Sequence, residues 1–141
     1  MTDSLQRFVQ AQASTFETAM RELEHGRKQS HWIWFIFPQL RGLGHSENAA
    51  YYGLRDLEEA RDYLQHPLLG PRLEQATRAV LDSPVPIQQL LGELDAMKFA
   101  SCMTLFSIAA GTDSLYARAP EGKVSVDLRT LEMLQKQSND I

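Results

Sequence analysis

Between residues 93 and 110 the chain reads ELDAMKFASCMTLFSIAA, dense in Ala, Met, Leu and Phe and free of Gly and Pro. Such a run favours helix throughout and predicts the most buried helix of the fold, closed by Gly111. The rest of the chain is expected to pack around it. At 141 residues and 43% apolar, the chain can build one such core and not two.

The flanking segments read as shorter helices. Ser14 and Glu17 have capping-box spacing ahead of Phe16, Ala19, Met20 and Leu23, with Gly26 as the stop. Asp56 and Glu59 repeat that spacing ahead of Leu57, Ala60 and Leu64, and His66-Pro67 ends the stretch. Leu69, Leu73, Ala76 and Val80 keep a helical period, with Gly70 and Pro71 read as shaping a turn before it; Ser83-Pro84 looks like a cap followed by proline at the first helical position. Residues 111–127 contain Pro120 and Gly122 and are expected to form an irregular, mobile loop before Leu128, Leu131 and Leu134 restore a short helix. No internal repeat or linker appears. The expectation is a single all-α domain over 1–141, about six to eight short helices around the long one at 93–110.

The alternative class, α+β, rests on GRKQSHWIWFIFPQL at 26–40. His31 to Phe37 is as short, aromatic and β-branched as a buried strand, and periodicity cannot decide such a run. A strand there would lack a partner, so a short buried helix capped by Ser30 and ended by Pro38 is preferred.

A net charge of −4 argues against delocalised binding to nucleic acid or to an anionic membrane. The single cysteine, Cys102, excludes an intrachain disulfide, and no signal-peptide pattern or bilayer-length apolar run is present; a cytoplasmic protein is expected. The four histidines show no ligand spacing, Arg41-Gly42-Leu43-Gly44 lacks the ending of a phosphate-binding loop, and no Gly-x-Ser-x-Gly elbow occurs. Neither metal nor cofactor is expected.

Taken in order, GRKQSHWIWFIFPQLRGLG, HPLLGPRL and DAMKFASCMTLF resemble a bacterial family, domain of unknown function 1810, over nearly the whole chain up to about Ile108. The resemblance implies a compact, mainly helical cytosolic domain and no particular reaction. Asp127, Thr130, Leu131 and Leu134 match the family's closing D-x-x-T-L-x-x-L, whereas ARAPEGKVSV departs from the aromatic, glycine-rich stretch that commonly precedes it.

Two polar sets interrupt the apolar segments. Arg27, Lys28, Ser30 and His31 precede the tryptophans Trp32 and Trp34, where free backbone N–H groups and cations would suit a carboxylate or phosphate. Asp95, Lys98, Ser101 and Thr104 recur along the long helix, and a lysine there must reach water, a carboxylate or a ligand. The leading expectation is a pocket between these sets for a small anionic or nucleotide-like ligand, lined by Arg27, Lys28, Ser30, His31, Trp32, Lys98 and Ser101, with His31 and Lys98 the candidates for acid–base chemistry. Two other readings stand beside it. One is an N-glycosidic-bond hydrolase for an ADP-ribose-like compound, from a faint similarity of the LLGPRL turn and the Lys98 and Met103 helix to NADAR-type domains. The other is an interaction module presenting Tyr51, Tyr52, Trp32 and Phe37 as one aromatic patch.

Overall fold

The computed structural model describes residues 5–121 and 124–139. The long helix runs over Glu93–Ala110, between two glycines with positive φ, Gly92 at 88° and Gly111 at 107°. Those backbone turns are open to glycine and costly to other residues, which sets both ends of the helix. Ahead of it come α1 (Gln6–Ala13), α2 (Phe16–Glu24), α3 (Ile33–Ile36), α4 (Glu47–Tyr52), α5 (Leu57–Gln65), α6 (Leu69–Leu81) and α7 (Ile87–Leu90), which makes the long helix α8. A 3-10 helix (Leu115–Glu121) and α9 (Leu128–Asn139) complete the described chain. The fold is all-α: among the described residues eight shorter α-helices accompany the long one, which keeps Leu94, Met97 and Ile108 exposed.

Helix α8 packs against α5, α9, α3, α7 and the 3-10 helix, and buries Phe99, Cys102, Met103, Leu105 and Phe106. The segment around α3 fills the space on one side of it. Trp32 is 1% exposed, Phe37 is fully buried, and the Phe37 and Phe99 rings meet edge to face at 4.9 Å. Such a contact adds to simple area burial and fixes the approach of the two segments. The strand alternative is excluded for residues 31–37; an isolated parallel bridge between Leu40 and Leu54 follows instead, held by Arg41 N–H donating to Leu54 O and Leu54 N–H to Gln39 O.

Several boundaries differ from the sequence expectation. Helix α1 extends to Ala13, so Ser14 closes it; Thr15 precedes α2 and donates its hydroxyl to Ala11 O, leaving no capping box. Ser83 accepts from Val85 N–H in a local turn, and α7 begins only after Pro86. LLGPRL is no turn: Leu69 starts α6, and Gly70 fits because a Cβ there would stand 2.2 Å from the Leu64 carbonyl oxygen. The cap at Asp56 forms as read, its carboxylate accepting from Glu59 N–H at 2.9 Å.

The expected irregular loop is in part the 3-10 helix, whose Tyr116 and Ala119 are buried against α8 and α6. Of the breakers that suggested a loop, Gly122 lies outside the described residues. In α9 the leucine period places the helix but not its inner face: Thr130 is fully buried, while Leu128 is 68% exposed.

Candidate functional site

The site grows from the end of α2. Glu22 stands in its last turn, where a carboxylate opposes the helix dipole and therefore needs other donors. It finds four: the N–H groups of Gln29 and Ser30 at 2.8 and 2.9 Å, the Ser30 hydroxyl at 2.6 Å and the Trp32 indole N–H at 2.9 Å. Partial burial works against its ionisation, but the Ser30 hydroxyl, the two backbone donors and the indole outweigh that and hold its pKa at about 2. The loop N–H groups that the sequence offered to an external anion are thus occupied by the chain's own glutamate. Ser30 does not cap α3, whose first flanking residue is Trp32; its hydroxyl is turned back to Glu22.

Lys28 bridges this loop to α8. Its backbone N–H donates to Leu90 O at 2.7 Å, and its ammonium lies 2.7 Å from Asp95 Oδ2, 2.5 Å from Ser30 O and 5.0 Å from the centre of the Trp32 ring. Two of its three N–H donors are engaged by oxygen, the ring lies against the ammonium, and the side chain is only 7% exposed, so little of Lys28 faces a ligand. Asp95 also accepts from Lys98 Nζ, at 3.3 Å, and Lys98 sits 5.0 Å above the Trp34 ring. The two polar sets therefore do meet, through a carboxylate held between two lysines.

The lysines are not equivalent. The Lys28 side chain is 7% exposed, that of Lys98 31%, and Lys98 has one polar partner, at 3.3 Å, where Lys28 has two. Trp34 lies beneath it, half-buried, its indole nitrogen withdrawn from water and unpaired among the described residues. Arg27 and His31 are exposed and make no side-chain hydrogen bond or ion pair among those residues.

Ser101 belongs to a different cluster. It donates to Asp127 at 2.9 Å, Thr130 donates to the same carboxylate, and Asp127 N–H donates to Thr104 Oγ1 at 2.9 Å. Asp127 and Thr130 thus tie the start of α9 to the two hydroxyls of α8. The aromatic patch does not assemble either, since Trp32 and Phe37 are core residues and Tyr51 is exposed without them. Met103, one of the residues behind the glycosidase similarity, is fully buried. Burial also pushes the Cys102 thiol well above its usual range, which keeps it protonated and unreactive.

Sequence reading missed Glu22 and placed Asp95 only as an intrahelical partner of Lys98. A signal existed for the first, an acidic residue at a helix C-terminus; for the pairing of Lys28 with Asp95 there was none. Cavities of about 450, 550 and 490 Å³ open elsewhere on the surface, and none of the three is lined by Lys28 or Lys98. Among the described residues no helix is long and apolar enough to cross a membrane.

Residues 2–134 match the family described as Protein of unknown function (DUF1810). The chain is also similar to the conserved hypothetical protein Rv1873 from Mycobacterium tuberculosis, whose crystal structure it matches with a TM-score of 0.90 at 43% identity, over 93% of this chain and 96% of that one. No curated protein matches.

Proposed function

We propose, for a chain that belongs to the DUF1810 family, that it binds a small anionic, nucleotide-like ligand over the Lys98 side of the Lys28–Asp95–Lys98 cluster. The supporting observation is the inequality of the two lysines on one carboxylate: the Lys28 side chain is 7% exposed and close to two oxygens, whereas Lys98 is 31% exposed and more weakly paired, above the Trp34 ring. Lys28, Ser30 and Trp32 build the platform; Lys98 makes the contact, with the Trp34 ring beside it, the exposed Arg27 as a further cation and the exposed His31 as a hydrogen-bonding group. An anion there lies in partly desolvated surroundings, where a lysine contact is worth more than in open water.

Trp34 is the natural reporter. Titration with ADP-ribose and, separately, with inorganic pyrophosphate should change tryptophan fluorescence, and Trp34→Phe should remove the change. Lys98→Gln should weaken binding about tenfold or more, the loss of one charge-assisted contact. The reading falls if neither compound alters the spectrum or the melting temperature, or if Lys98→Gln binds as the natural chain does.

A further inference from the structure

Away from the lysine cluster, α2 and α6 pack side by side and leave an open groove of about 490 Å³. Its walls carry charges of both signs: Glu17, Arg21 and Glu24 from α2, and Arg72 from α6, around the small exposed parts of Phe16 and Met20, each 9% exposed. On a helix, positions 17, 21 and 24 share one face, so acid and base would be expected to pair along it. They do not; Arg21 donates instead to the Thr18 hydroxyl, and no ion pair joins any of the four groups among the described residues.

Arg72 is the fixed member. Its guanidinium lies 4.8 Å above the centre of the Phe16 ring and donates, at 3.4 Å, to Gln12 Oε1. Gln12 is itself immobilised in the core, 2% exposed, its amide donating to Phe35 O at 2.7 Å and to the Tyr63 hydroxyl at 3.1 Å. A buried network thus orients one arginine toward a groove and satisfies only a fraction of its five donors. An oriented guanidinium with free donors suits a carboxylate, which it can take by two parallel hydrogen bonds. The glutamates opposite would repel a simple anion and attract an ammonium.

We propose that this groove binds a small zwitterion, a free amino acid or a similar amino-carboxylate, with the carboxylate on Arg72, the ammonium facing Glu17 and Glu24, and the side chain over Phe16 and Met20. The net charge of the four groups is zero, matching a ligand that carries both signs. The site is separate from the Lys98 surface and stands or falls independently of it.

The test is NMR of protein carrying ¹³C-methyl methionine, with the Met20 signal assigned through Met20→Leu and each of the twenty protein amino acids added singly. The expected result is a saturable shift of the Met20 methyl with a subset of them. For the best binder, both its amide, which lacks the carboxylate, and its des-amino acid, which lacks the ammonium, should bind about tenfold or more weakly. Glu17→Gln with Glu24→Gln alters exposed positions only and should weaken binding while the melting temperature stays near that of the natural chain; Arg72→Lys keeps charge and stem but loses the planar fork, and should weaken binding with a lower melting temperature, since Arg72 also holds Gln12 and Phe16. No shift with any amino acid would overturn the proposal. So would equal binding of either truncated compound, or unchanged binding by the variants.

Discussion

Lys28 Nζ lies 2.7 Å from Asp95 Oδ2, with the two side chains only 7% and 18% exposed, and this contact joins the loop after α2 to the first turn of α8. Lys98 reaches the other oxygen of the same carboxylate at 3.3 Å from a more exposed position. A pair withdrawn from water is strongly felt when one member is removed, because the other is left uncompensated. Asp95→Asn should therefore cost about 2–3 kcal/mol of unfolding free energy, measured by urea denaturation. Double-mutant cycles should give a coupling above about 1 kcal/mol for Lys28 with Asp95 and below that for Lys98 with Asp95. Equal couplings would contradict the division of labour between the lysines.

The carboxyl of Glu22 titrates at about 2 in the folded chain against an ordinary 4.5. Its folded pKa is depressed, so its stabilisation is complete above about pH 4.5 and is lost as pH falls from there toward 2. Glu22→Gln keeps the shape and removes the charge. The stability difference between the two proteins should be about 2 kcal/mol at neutral pH and shrink toward zero by about pH 2, the carboxylates common to both cancelling. A difference independent of pH would show that the four donors do not favour the charged form.

Gly70 and Gly92 should respond to alanine for different reasons. A methyl at Gly70 meets the Leu64 carbonyl oxygen at 2.2 Å, although the backbone is ordinary helix; Gly70→Ala should cost about 3 kcal/mol through displacement of α5 from α6. At Gly92 nothing lies within 4 Å, and only the φ of 88° is unfavourable, so Gly92→Ala should cost about 1–2 kcal/mol. Thermal melting of the two variants checks the order.

Thr130→Val removes a hydroxyl that donates to Asp127 while filling the same volume, and should destabilise by about 1–2 kcal/mol. Leu128→Ser, at an exposed position of the same helix, should change stability by no more than about 0.5 kcal/mol. Hydrogen exchange in α9 should rise in the first variant and not in the second. The opposite order would mean that the leucine period, and not Thr130, marks the inner face.

What the order of residues determined by itself is local. The 93–110 run is rich in strong helix formers and bounded by glycines, so its length and ends follow from propensity and backbone freedom, and the structure has α8 at Glu93–Ala110. Asp56 and His66-Pro67 likewise mark α5, because a cap and a proline act on the residues next to them. The segment 31–37 could be placed in the core from its composition, though not assigned a shape by periodicity. Only tertiary structure decided which polar residues meet. Lys28 and Asp95, Ser101 and Asp127, and Arg72 and Gln12 are each distant in sequence, and no spacing rule links them. It also turned the loop donors onto Glu22, so that part of what looked like an open anion site is the chain's own internal contact, and left Lys98 the more exposed of the two lysines. Burial explains the difference: caps and breakers act within a turn, whereas a buried charge must find a partner wherever the packing of helices brings one.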